Sequence, residues 1–180
     1  MAFKNILAGL IPVLIIIDQL SKWAITELAL RPLAGEASLS LMQWITDAPQ
    51  RLGFVSREIL PFFNLTMVWN FGVSFGLFNN GSESGALILS VVAALISIAF
   101  GIWLYRSTSK LQSLALALVI AGAIGNIIDR LRFGAVIDFL DFHAIGWHYP
   151  AFNLADSLIV VGIFALLYHA LFLEKPNMTE

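Results

Sequence analysis

Apolar residues run through this chain in long unbroken blocks. Gly85 to Tyr105 (21 residues), Leu111 to Ile128 (18) and Ser157 to Leu173 (17) contain no charged side chain. Each is close to the roughly 20 residues with which a helix crosses the hydrocarbon core of a bilayer. A fourth block is uncharged from Asn5 to Ile17 and continues through Asp18, Gln19, Ser21 and Lys22 to about Leu30. Read as helix, it also spans. The pattern predicts one polytopic membrane domain over residues 1–180, with transmembrane helices at about 5–30, 85–106, 111–131 and 155–173. Segments of about 31–84 and 132–154 lie outside. There the pattern changes: Phe62 to Trp69 is rich in aromatic and β-branched residues, bounded by Pro61 and Gly72, and reads as a strand. Gly72, Gly76 and Gly81, with Asn79 and Asn80, mark turns after it. The expected fold class is membrane α-helical, four spans with a small β-sheet on the outer face.

Composition agrees: 59% of the 180 residues are hydrophobic and 12% charged, about half the charged share of a typical soluble domain. Cysteine is absent, which removes disulfides, thiolate nucleophiles and thiolate metal ligands together. A net charge of −2 argues against a nucleic-acid partner. Lys4 precedes an apolar run as in a signal peptide, but no clean small-x-small cleavage site follows and Asp18 and Lys22 occupy its second half. It is therefore read as a permanent helix. Arg106 and Lys110 flank the tight turn between the second and third spans, which the positive-inside rule puts in the cytoplasm with both termini. Trp23, Trp69, Trp103, Trp147 and Tyr149 near the predicted ends suit interfacial belts.

Ionisable residues in such a sequence are costly, so each needs a reason. Asp18 and Lys22 stand four apart on one helix face. They form either a structural ion pair or part of a site. Asn126 and Arg130 repeat that spacing at the end of the third span, after Gly122 and Gly125, which allow close backbone approach. Asp129 beside them reads as part of an interfacial snorkelling cluster. The fixed guanidinium of Arg130 is suited to orienting a carboxylate or a carbonyl. Asp138 interrupts the apolar run Val136-Ile137-Asp138-Phe139, and Asp156 closes Phe152-Asn153-Leu154-Ala155-Asp156, where the fourth span begins. Asp156 alone reads as a helix cap. Together the two acids are expected at matching outer ends of the third and fourth helices, with Asp141 the more exposed neighbour of Asp138. Gly72-Val73-Ser74-Phe75-Gly76 matches the nucleophile-elbow pattern letter for letter but lacks the alternating α/β context that motif needs. His143 and His148 are expected to face solvent rather than a metal.

Five segments in order resemble bacterial lipoprotein signal peptidase, or signal peptidase II: Asp18-Gln19-Leu20-Ser21-Lys22; Asn70 to Gly76; Gly122 to Arg130; Val136 to Phe139; and Phe152 to Asp156. The resemblance implies four transmembrane helices with an outer-face cradle, and an aspartic endopeptidase of the bacterial inner membrane that needs no metal or other cofactor. It would cleave diacylglyceryl-modified prolipoproteins on the amino side of the lipidated cysteine. It implies Asp138 and Asp156 as the catalytic dyad. Asp18, Lys22, Asn70, Gly72, Asn126, Arg130, Asn153 and Ala155 fall in the matching segments as supporting or substrate-binding positions. The expected partners are the prolipoprotein and membrane lipid, and the expected state is a monomer. Ser74 stands where the family commonly has alanine. About Glu36 to Arg57 looks like extra sequence, lying on the membrane surface or extending the cradle.

Two nearby carboxylates cannot both ionise easily, so one proton is shared and the pair can serve as acid and base. The rival reading is a small ion- or proton-coupled carrier in which Asp18, Lys22, Asp129, Arg130 and the acid pair form a relay.

Overall fold

The computed structural model describes residues 2–47, 50–72 and 83–173. The turn glycines and asparagines after Gly72, the serine of the elbow-like motif and the C-terminal tail lie outside them. Four helical stretches are long and apolar enough to cross a membrane, Phe3–Ala34, Gly85–Arg106, Lys110–Phe133 and Leu154–Phe172. The protein is a multi-pass membrane protein. Helix α1 (Ala2–Trp23) runs on through a π-helical stretch, Ala24–Leu30, and a 3-10 turn, Arg31–Ala34. A short helix α2 (Leu41–Asp47) follows, then strands β1 (Ser56–Leu60) and β2 (Phe63–Asn70). Helices α3 (Glu83–Arg106) and α4 (Lys110–Phe133) precede strands β3 (Val136–Ala144) and β4 (Trp147–His148), and α5 (Leu154–Phe172) closes the chain.

α4 is the central helix. Its middle is rich in small buried residues, among them Ala115, Ala117, Ala121, Gly122 and Gly125. They are needed because lipid-facing helices gain little from hydrophobic burial and associate through close backbone packing. A Cβ on Gly122 would sit 2.3 Å from the Ala155 carbonyl oxygen of α5, so only glycine lets the two backbones meet there. The lipid-facing side chains of α3 and α5, such as Leu95, Ile98, Phe164 and Leu171, are left exposed.

The four strands form one antiparallel sheet in the order β1-β2-β3-β4. Gly134 ends α4 in the left-handed region at φ 68°, its N–H bonded to the Arg130 carbonyl at 2.9 Å. That reversal feeds β3 directly from α4. The expectation that Asp138 sits at a helix end is therefore corrected: it lies five residues beyond α4, in β3. A short apolar run carrying one acid fits either element by pattern alone.

β2 carries one extra residue against β3, between the pairs Leu65–Leu140 and Val68–Asp138. The slip matters because side chains alternate faces along a strand. Thr66 and Asn70 lie four apart, with equal parity, whereas Asp141 and Asp138 lie three apart. The bulge lets Thr66 reach Asp141 and Asn70 reach Asp138 from the same two strands.

Leu30, Trp44, Leu52, Met67, Phe133, Ile137 and Phe139 form the core beneath the sheet. The stretch from Glu36 to Arg57 thus extends the cradle, with Trp44 of α2 and Leu52 filling its floor. Met42 and Ile45 point outward. Trp23 and Trp69 are not belt residues either, since each donates its indole N–H inward, to the carbonyls of Leu39 (3.1 Å) and Leu52 (2.8 Å). Trp103, Trp147 and Tyr149 are exposed as expected.

Gly122→Ala is expected to lower stability by about 1–3 kcal/mol through overpacking, read as a fall in thermal unfolding temperature in detergent. Gly101→Ala on α3, whose added Cβ meets nothing within 4 Å, serves as the control and should cause no loss.

Candidate active site

The site is assembled from five elements, α1, β2, α4, β3 and α5, beside a buried ammonium. Lys22 on α1 is fully buried, as are Asp18 and Asp129. Its Nζ lies 2.8 Å from Asp18 Oδ2, 2.7 Å from Asp129 Oδ2 and 3.3 Å from Asn126 Oδ1. Asp129 is thus no snorkelling surface acid. It is the second counterion of Lys22, and its three-residue spacing from Asn126, which shares a helix face, was the available signal. The remaining carboxylate capacity is used up by other elements. Asp18 Oδ1 accepts from the Ala155 backbone N–H of α5 at 3.0 Å. Asp129 accepts from the Ile137 N–H of β3 at 3.2 Å and from Gln19 Nε2 at 2.8 Å. Of the two readings of Asp18 and Lys22, the geometry favours the structural pair.

Asn126 turns this scaffold toward the two acids. Its Oδ1 accepts from Lys22 and from Asn153 Nδ2 (3.2 Å), and its Nδ2 donates to Asp156 Oδ1 at 2.7 Å. Asn153 is the N-cap of α5. Its Oδ1 accepts from the Asp156 N–H at 2.9 Å and Asp156 Oδ2 accepts from its N–H at 3.2 Å, a complete capping box. The capping role read for Asp156 is present. It occupies one carboxylate oxygen and leaves the other to Asn126.

The same Asn153 amide donates to Asp138 Oδ1 at 2.7 Å and to the Ile137 carbonyl at 3.1 Å. It is held there because Phe152 pairs with Leu140 of β3 in both directions, at 2.9 and 3.2 Å. Asn70 Nδ2 donates to Asp138 Oδ2 at 3.0 Å. One asparagine therefore touches both acids, and a second reaches one acid and the ammonium. Gly125 faces Asp18, where a Cβ would approach its carboxylate to 2.6 Å.

A model of the family described as signal peptidase (SPase) II matches residues 10–172. The chain belongs to the signal peptidase II family. A curated protein named lipoprotein signal peptidase from Rhodopseudomonas palustris is 43% identical over 156 residues, covering 81% of this chain and 94% of its own. Its namesake from Yersinia enterocolitica is 38% identical over 146 residues, 79% and 85% of the two chains. Two solved bacterial membrane enzymes share the fold. One has a TM-score of 0.68 and 26% identity, over 98% of this chain and 93% of its own. The other has a TM-score of 0.67 and 24% identity, over 94% and 95%.

In this signal peptidase II chain the two acids differ in their surroundings. Asp138 is only 1% exposed, and burial, reinforced by the charge of Asp156, pushes its pKa up to about 8 against the hydrogen bonds from Asn70 and Asn153. Asp141 lies on the opposite face of β3; burial raises its pKa, but the hydrogen bonds from His148, Thr66 and Asn64 outweigh that and hold it below the usual carboxylate range. It is the more exposed of the two aspartates, though still largely covered at 7%. His148 Nδ1 lies 2.7 Å from Asp141, and its ring stacks on His143 at 4.8 Å. Neither histidine touches the acid pair.

Arg130 sends Nη2 to the Gly72 carbonyl at 3.3 Å, while its buried Nε has no partner among the described residues. It lines a cleft of about 400 Å³ between α3, α4 and α5, together with Asn70, Gly72, Asn126 and Asp156. The deeper walls are apolar, including Phe100, Val119 and Ile163. A second cleft of about 550 Å³, bordered by Tyr149, Phe152 and Val160, also ends on Asp156.

The unfolded chain releases the Asp138 proton near pH ~3.9, whereas the folded chain keeps it to about 8. Between these values the native state binds more protons, so this group lowers stability as pH rises. Asp138→Asn removes that dependence. Its unfolding temperature should gain on the wild type from pH 4 to 8 and run parallel above, in a pH series of thermal melts.

Proposed function

We propose that this chain is an aspartic endopeptidase that removes the signal peptide from diacylglyceryl-modified prolipoproteins, cleaving before the lipidated cysteine. The observation that carries this reading is the shared amide scaffold, with Asn153 bonded to both Asp138 and Asp156 where two clefts meet. Family membership and the names of the relatives supply the substrate class. The carrier reading has no comparable support: Lys22 is locked between two acids whose oxygens are already bonded to backbone and Gln19, leaving no relay to move.

The acids divide the work by their surroundings. Asp138, buried and protonated to about pH 8, donates to the scissile carbonyl oxygen. Asp156, at the positive end of α5 and accepting from Asn126 and the Asn153 backbone, takes a proton from the attacking water. The tetrahedral intermediate then collapses as Asp156 returns that proton to the leaving nitrogen, breaking the C–N bond, and the Asp138 proton is recovered from the gem-diol. Asn70, Asn126 and Arg130 line the cleft with amide and guanidinium donors suited to an extended peptide. The apolar wall from Phe100 to Ile163 suits the hydrophobic stretch of a signal peptide. The sheet and both clefts' polar ends belong on the outer face of the bacterial inner membrane, where water is available, with both termini in the cytoplasm. A single chain contains every residue assigned here, consistent with a monomer.

Asp138→Asn or Asp156→Asn should each reduce processing of a lipidated prolipoprotein in reconstituted membranes by about 10²–10⁴-fold with expression retained. Substantial cleavage by either variant contradicts the dyad. Wild-type turnover should also fall as pH rises through about 8, because the donating proton is lost. A rate that climbs past that point removes Asp138 from the acid role.

A further inference from the structure

Residues two apart on a helix point roughly 200° apart. Asn126 and Arg130 face the acid pair, so Ile128 and Arg132 look out on the far side of α4. There a groove of about 390 Å³ runs between α1, α4 and α2, lined by Ile15, Ile16, Leu20, Trp44, Ile128 and Arg132. Its floor comes from membrane-spanning segments and is aliphatic apart from Gln19, whose amide is turned to Asp129, with Ile16 and Leu20 exposed at 56% and 38%. Its outer end carries a single guanidinium.

Among the described residues that guanidinium has no counterion within ion-pair distance. Arg132 rests over the rings of Trp44 (5.3 Å) and Phe133 (4.6 Å) and donates Nη2 to the Trp44 carbonyl. Among the described residues it forms no ion pair and no other hydrogen bond. Arg31, by contrast, is held by both Glu27 and Glu36. Asp129, the acid whose field reaches Arg132, is already bonded to Lys22, Gln19 and the Ile137 N–H. The donors left on Arg132 are therefore available to an anion. An apolar trough in the hydrocarbon zone that ends in an uncompensated, aromatic-supported cation has the two-part chemistry of an anionic lipid.

We propose that this groove binds an anionic phospholipid, with its phosphate on Arg132 and an acyl chain along Ile15, Ile16 and Ile128. The lipid would fill the groove bordered by α1, α2 and α4, on the side of the protein away from the acid pair. The stretch from Glu36 to Arg57 supplies one wall of this site through Leu41, Trp44 and Ile45. The site does not depend on the proteolytic reading.

The test compares the full chain in detergent with added phosphatidylglycerol and with phosphatidylcholine of the same acyl chains, counting bound lipid by native mass spectrometry. The wild type should retain phosphatidylglycerol about fivefold better, as one basic residue beside net-anionic lipid provides, because the choline cation offsets the same phosphate in phosphatidylcholine; high salt should erode the difference. Arg132→Gln should bring the ratio to about one. Because Arg132 also holds the Trp44 carbonyl, Ile16→Trp is the second variant; it fills the trough from its lipid side without removing any Arg132 contact, and should likewise abolish the preference. An unchanged preference in folded Ile16→Trp, equal retention of both lipids by the wild type, or displacement of phosphatidylglycerol by excess lipidated substrate peptide would each overturn the assignment.

Discussion

The buried Lys22 ammonium is the constraint around which this structure is arranged. A charge at that depth is tolerated only with opposite charge and hydrogen bonds on every side. Asp18 supplies one carboxylate from the same helix and Asp129 another from α4. Two acids on one base leave excess negative charge, and the chain meets it with backbone donors from Ala155 and Ile137. Those two donors lie one residue from Asp156 and Asp138. Neutralising Lys22 thus fixes where α5 begins and where β3 starts, and with them the positions of both acids.

Asymmetry between the acids follows from the elements that carry them. β3 buries Asp138 on the face opposite Ile137 and Phe139, where the ionised form is disfavoured. The first turn of α5 surrounds Asp156 with N–H donors from its own cap and from Asn126. Asn153 couples the two because Phe152 is stitched to Leu140, so the cap of α5 is also an edge of the sheet. A helix start and a strand are rigid supports.

The four spans were legible because long uncharged runs have few other meanings, and β2 because its aromatic and β-branched text is bounded by breakers. Asp138, Asp156, Asn126, Asn153 and Arg130 were legible as costly polar residues in ordered motifs. What escaped were features set by partners far apart in the chain. Asp129 looks like an interfacial acid until Lys22, more than a hundred residues earlier, is placed beside it. β3 could not be separated from a helix end by the four-residue run Val136-Ile137-Asp138-Phe139. The bulge in β2 exists only as a relation between two strands, and Trp23 and Trp69 read as interfacial until their indoles are seen bonded into the cradle. The carbonyl partners of those indoles have no sequence signature at all.

The proposed acid–base pair requires one proton on Asp138 while Asp156 accepts from its amide donors. Infrared spectroscopy of the protein in lipid, taken as a difference between wild type and Asp138→Asn, reads that proton directly through the carbonyl stretch of a neutral carboxyl group. Such a band should be present at pH 7, be missing in the variant, and disappear from the wild type as pH passes about 8. A wild-type spectrum at pH 7 with Asp138 present only as carboxylate would contradict it.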